Sequence, residues 1–243
     1  MSSAERGLRQ VPVLVLSGFI VMICLQLTYH HLFKSTASDG YRYLQMPRPV
    51  DFYRSMALGS DKLVSYLLLL KLQLHDSQGG RHLNYVHLDY DKVDAWLQTI
   101  YELNPRSDYP AFLASRVYSQ VQDRDKVRVM VALIERLFDI DPEQHWRRMT
   151  EACLLAKHQL QDLPLALRLA KKIAALPDEL DLPFWARDMQ LVLLDELGEL
   201  ESAQLLVSSM LQSGRINDPD ELRFLRMRLL KIQQGLLENE QNR

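Results

Sequence analysis

Three of the seven histidines, His75, His82 and His87, fall in one short stretch with Asp76, Asp89 and Asp91. Imidazoles beside carboxylates are the donor set of a transition-metal site. Their spacings of seven and five residues match no ligand pattern such as His-Glu-x-x-His, and Gly79-Gly80 interrupts the segment, so they read as solvated loop residues. His145 and His158, thirteen apart with no shared acidic neighbour, read as surface residues or groove lining. The chain has no Gly-x-Ser-x-Gly elbow, Walker loop, dinucleotide fingerprint or paired-cysteine site. Cys153 lies in an apolar run (Ala152, Cys153, Leu154, Leu155, Ala156) and reads as a buried, inert thiol. Carboxylate pairs such as Asp188 with Asp195 or Glu196 have acid–base chemistry in principle, but on a helical chain they read as a wet face. The expectation is a protein that is not an enzyme, with no cofactor, no metal and no small-molecule substrate.

Composition narrows the alternatives. With 29 basic and 31 acidic residues among 243, and a pI near 6.4, the chain lacks the basic excess of nucleic-acid binders. Two cysteines are too few for a disulfide framework, and nine glycines with ten prolines leave too few tight turns for an all-β sandwich.

From Gln10 to Phe33 there is no Asp, Glu, Lys or Arg, and Val11 to Leu27 departs from apolar residues only at Pro12, Ser17, Gly18 and Gln26. The segment 11–33 reads as one transmembrane helix, with Tyr29, Phe33 and the His30-His31 pair as an interfacial belt. The competing reading is a cleaved signal peptide, with Arg6 and Arg9 as its charged region and Ser35-Thr36-Ala37 as the cleavage site. Two arginines in the tail 1–10, ahead of a long C-terminal domain, favour a signal anchor with the domain outside the cytoplasm, although Lys34, Arg42 and Arg48 nearly balance the flanking charge. Residues 34–59 read as a juxtamembrane linker with room for a short helix. The remainder carries 26 basic and 30 acidic side chains beyond residue 34 and is mildly acidic.

Over 60–243 the apolar residues recur at three and four, as in Val93, Trp96, Leu97, Ile100 and Leu103, so the fold class expected is all-α. Ser60-Asp61 caps a helix to about His75; Asp89-Tyr90-Asp91 opens one that stops at Asn104-Pro105; Asp141-Pro142 and Leu176-Pro177 end two others. Gly79-Gly80, Gly198, Ser213-Gly214 and Asn217-Asp218-Pro219 separate the rest. Pro105, Pro142, Pro177 and Gly214 follow one another at 37, 35 and 37 residues, a period that signals a helical solenoid. An irregular bundle with evenly spaced prolines is the plainer alternative.

At this period the chain resembles tetratricopeptide repeats. Val93, Met130, Ala166 and Ala203 occupy the small or medium apolar position that starts each second helix, and Leu197-Gly198-Glu199-Leu200-Glu201-Ser202-Ala203, followed by Val207 and Met210, matches best. Ala111, Ala114 and Tyr118 fit the rhythm of a first helix, whereas the unit holding Trp146 is stretched and no unit carries the full motif. The order of segments, a hydrophobic anchor, a leucine-rich helix (Tyr66 to Leu74), a Gly-rich loop and Tyr-Glu-Leu-Asn-Pro-Arg, resembles a group of bacterial membrane-anchored repeat proteins of unsettled function. The resemblance implies a right-handed α-solenoid of about four helix pairs behind a single transmembrane helix. It also implies a bacterial inner-membrane location with a periplasmic C-terminal domain. With Tyr118, Ala166 and Ala203 as fixed points, the concave positions of such repeats give a groove of Phe112, Arg116 and Gln120, then Arg148, Glu151 and His158, then Trp185, Asp188 and Asp195. Trp96, Trp146 and Trp185 read first as core or repeat-interface packing. The function expected is a membrane-tethered scaffold holding a protein partner, an envelope or membrane protein, in that groove. The alternative is an accessory subunit of a membrane enzyme or export complex, contacting it through the transmembrane helix at Ser17-Gly18.

Overall fold

The computed structural model describes residues 13–33, 44–76, 85, 88–177, 179–180, 182–212, 216 and 218–241. They are helical, with no strand among the described residues. The chain divides into two compact units, Met1–Leu44 and Gln45–Arg243.

In the first unit, α1 spans Val13–Phe33. Its apolar side chains are exposed on every side, among them Val13, Leu14, Phe19, Met22 and Leu25. The Ser17 hydroxyl donates to the Leu14 carbonyl at 3.0 Å and the Thr28 hydroxyl to the Cys24 carbonyl at 2.7 Å, so both hydroxyls return to their own helix. Among the described residues no helix is long and apolar enough to cross a membrane. The stretch from Val13 to Tyr29 measures about 25 Å as a helix.

The second unit holds α2 (Val50–Met56), α3 (Asp61–Asp76), α4 (Tyr90–Leu103), α5 (Tyr109–Leu113), α6 (Arg124–Ile140), α7 (Pro142–His158), α8 (Leu163–Ala174), α9 (Phe184–Arg187), α10 (Met189–Glu196), α11 (Leu200–Gln212) and α12 (Pro219–Gln241). Aspartates set several of these starts. Asp89, Asp123, Asp141 and Asp162 each accept a hydrogen bond from a backbone N–H of the following turn, the N-cap role that short carboxylates fill. Pro142 then occupies the first helical position, where its missing N–H costs nothing. Gly198, at φ +75°, closes α10 in the left-handed conformation that glycine adopts without strain.

Each helix packs on its neighbours in the chain. The successive pairs are α3 on α4, α4 on α6, α5 on α6, α6 on α7, α7 on α8, α8 on α10, α10 on α11 and α11 on α12. Val93, Ala166 and Ala203 stand fourth in α4, α8 and α11 and are wholly buried, as are Ala111, Ala114 and Tyr118; Met130 is buried too, but it lies in the second turn of α6, whose fourth residue is the buried Val127. Small side chains there let neighbouring backbones approach while the larger Leu97, Leu133 and Leu169 fill the space. Polar contacts follow the same order: Ser65 to Ile100, Arg128 to Asp162, Arg116 to Glu151, Lys172 to Asp139 and Lys157 to Glu196 join residues 33 to 39 positions apart.

Three features depart from the sequence reading. The helix begun at Tyr109 continues as a π-helical turn, Ala114–Tyr118, before Ser119, whose hydroxyl bonds back to the Ser115 carbonyl. The extra length in the Trp146 unit lies within α7 itself, 17 residues long, and only Gln159 to Asp162 separates it from α8. The first helix of the last unit is broken at Asp188 into α9 and α10. Of the histidine stretch, His82 and His87, like Gly79-Gly80, lie outside the described residues.

Candidate functional site

Two arrangements occur, one joining α5 to α7 and one between α7 and the pair α9–α10. The polar one starts at Asp108, just ahead of α5. One of its oxygens is 3.0 Å from His145 Nδ1 and the other accepts from Arg148 Nε at 2.8 Å. Arg148 also donates to both Glu151 oxygens, at 2.9 and 3.1 Å, and Glu151 accepts from Arg116 at 2.7 Å. The Arg148 guanidinium lies 5.1 Å from the centre of the Phe112 ring. Burial works to raise the carboxyls of Asp108 and Glu151, but the hydrogen bonds and charges of His145, Arg148 and Arg116 outweigh it and hold both below their usual values. Phe112, Arg116, Arg148 and Glu151 are therefore brought together. Their charges, however, satisfy one another, so the cluster is already neutralised and chiefly fixes α5 and the turn after it against α7. His145 corrects the sequence reading: it is fully buried, packs on the Tyr101 ring at 5.4 Å and is no surface residue.

Arg148→Ala removes the shared partner of two part-buried carboxylates and should cost on the order of 2 kcal/mol in urea unfolding at neutral pH. Because both carboxyls are held below their ordinary values of 3.8 and 4.5, the cluster's stabilisation is complete above those values. It fades as pH falls through them toward the folded-state values. Parent and variant should converge in strongly acidic buffer; an unchanged gap there would mean that the cost is one of packing.

The apolar arrangement lies between α7 and the pair α9–α10. A cleft of about 190 Å³ is lined by Cys153, Leu154, Lys157, Trp185, Met189 and Val192. Leu154 is 48% exposed and Trp185 50%, with the Trp146 ring 6.2 Å from that of Trp185. Half-exposed aromatic and aliphatic side chains over an apolar floor suit a side chain inserted from another molecule. At the rim Lys157 is held by Glu196 at 2.5 Å. Burial pushes the Cys153 thiol up to about 12, which leaves no thiolate for chemistry. Leu154 escaped the sequence reading because it was grouped with the core run around Cys153. The helical period, with Met149, Ala152, Cys153 and Ala156 buried, turns Leu154 to the other side.

The remaining groove candidates scatter. Gln120 lies beside a separate pocket of about 450 Å³ with Gln122, Arg124 and Gln159, and His158 is exposed at the end of α7. Asp195 is paired with Arg228 of α12 at 2.7 Å, both mostly covered, so it does not face an open groove. Asp188 is 2% exposed, and neither oxygen has a hydrogen-bond partner among the described residues. It sits at the break between α9 and α10, where the helix phase changes and turns it inward. Burial, with Glu221 adding like charge, raises its carboxyl to about 7. Among the described residues no three His, Cys, Asp or Glu side chains gather as a metal ion would require. No family model, curated protein or solved structure matches the chain, so the geometry and the residues alone carry the functional reading.

Proposed function

We propose that the chain is a membrane-tethered protein-interaction scaffold. On this reading the unit Gln45–Arg243 is a tetratricopeptide-like right-handed solenoid. Its four helix pairs are α3 with α4, α5 with α6, α7 with α8, and α9–α10 with α11, closed by α12. The buried Val93, Val127, Ala166 and Ala203, each fourth in its helix, and the polar contacts between residues 33 to 39 apart, support that register. The observation that carries the function is the cleft under Leu154 and Trp185, which would take an apolar anchor of an extended peptide or of a partner's helix.

The tether is α1. Its 21 helical residues, about 31 Å at the usual rise, include no Asp, Glu, Lys or Arg. On the tether reading, Tyr29 to Phe33 add an interfacial end to the apolar stretch 13–29, which by itself falls short of a span. Ser17 and Thr28 satisfy their hydroxyls internally, as a hydrocarbon environment demands. The two arginines ahead of it favour an inner-membrane protein with a periplasmic domain and an envelope protein as partner.

A second reading, in which α1 itself docks to a membrane complex, draws on Gly18, where a Cβ would meet nothing within 4 Å. Capture from crosslinked, detergent-solubilised membranes separates the two. The fragment 45–243 should retain the partner, and Trp185→Ala in that fragment should weaken it by about 1 to 3 kcal/mol. Capture only by the anchored chain, lost on Gly18→Leu and indifferent to Trp185→Ala, would put the function in α1.

A further inference from the structure

Helix α3 is apolar on two opposite sides. One side, with Ser65, Leu68 and Leu72, is buried, and the Ser65 hydroxyl donates to the Ile100 carbonyl at 3.0 Å. The other presents Leu63, Tyr66, Leu67, Leu70 and Leu74 at 48 to 58% exposure. At about 100° per residue these five fill an arc roughly 100° wide. Lys62 and Lys71, both exposed, stand about 40° beyond its two edges, and no carboxylate falls between them, since Asp61 and Asp76 belong to the opposite half of the helix. Their ammonium groups lie 5.9 Å from the Tyr66 ring centre and 5.0 Å from that of Trp96. Just ahead of α3, Leu58 is 98% exposed and held at φ 47°, a conformation strained for a leucine, before Gly59 at φ 90°. A strained turn with an uncovered leucine, followed by a leucine face bordered by lysines, is complementary to a surface that is apolar in depth and anionic at the rim.

We infer that this face of α3 rests on an anionic lipid surface, with the leucines among acyl chains and Lys62 and Lys71 reaching phosphate headgroups. The inference rests on the reading of α1 as a tether, which would keep the unit within reach of a bilayer. A partner helix would need apolar contacts plus carboxylates placed against both lysines, whereas a bilayer containing phosphatidylglycerol offers that pattern along its whole surface.

The test uses the fragment 45–243, a compact unit with its own core, so that α1 makes no contribution. In flotation it should rise with vesicles of mixed phosphatidylcholine and phosphatidylglycerol and bind phosphatidylcholine alone far more weakly. The double change Leu67→Glu with Leu70→Glu, at exposed positions and folded by circular dichroism, should abolish flotation. Lys62→Gln with Lys71→Gln should lower affinity roughly tenfold. Failure of the parent fragment to float, equal binding to both vesicle types, or flotation unchanged by the leucine pair would overturn the inference. Alkaline carbonate extraction of the full chain tests the tether separately: a chain that resists extraction keeps α1 as an anchor whatever the flotation shows.

Discussion

Replacing Ala203 with glutamate is expected to cost on the order of 4 kcal/mol, enough to unfold the last helix pairs in mild urea. Ala203 is fully buried in the first turn of α11, where its N–H bonds the Glu199 carbonyl. A methyl group fits the close approach of α11 to α10 and a carboxylate does not, for it would arrive without solvent or a partner. Leu205, two residues on and 74% exposed, is the control: Leu205→Glu should move the midpoint by no more than about 0.5 kcal/mol. Equal midpoints for the two variants would show that position 203 is not buried against α10, and would remove with it the register that places a small residue there.

The second large effect belongs to Asp188. Its carboxyl has an ordinary value of 3.8 and a folded value of about 7, raised by burial and by Glu221. Between those values the folded chain keeps a proton that the unfolded chain has released. Stability therefore falls as pH rises through this window, by on the order of 4 kcal/mol, and above it the folded protein carries an ionised carboxylate without a hydrogen-bond partner among the described residues. Asp188→Asn keeps the shape and removes the charge, so it should stabilise the fragment by most of that amount at pH 8 and by little at pH 4. Stabilisation of equal size at both pH values, or destabilisation at pH 8, would show that the carboxyl is solvated in the folded chain.

The helical architecture was legible because its signals are local. Asp89 caps α4 and Asp141-Pro142 ends α6 through signals that lie within one turn, as Gly198 does for α10; Asp123 and Asp162, which cap α6 and α8 in the same way, were not read. Position 203 could be picked out because a small residue recurs at one period. The site was half legible. Phe112, Arg116, Arg148 and Glu151 do converge, yet Asp108, which organises them, was missed because its partners His145 and Arg148 come 37 and 40 residues later. The same distance hid the burial of His145. Asp188 and Asp195 were misplaced by treating α9 and α10 as one helix: the break at Asp188 shifts the phase, and α12 then covers Asp195 through Arg228. Leu154 was hidden by its neighbours, as a run of apolar residues does not say which one faces outward.

If the cleft is where the partner binds, Trp185 and Leu154 must touch it in the intact cell envelope. A photoreactive phenylalanine analogue at position 185 or 154, in the full-length chain expressed in intact cells, should yield one shared adduct on irradiation. The same group at Leu205, exposed on α11 away from the lining residues, should yield none. Adducts from position 18 of α1, with none from 185 or 154, would contradict the groove and assign recognition to α1.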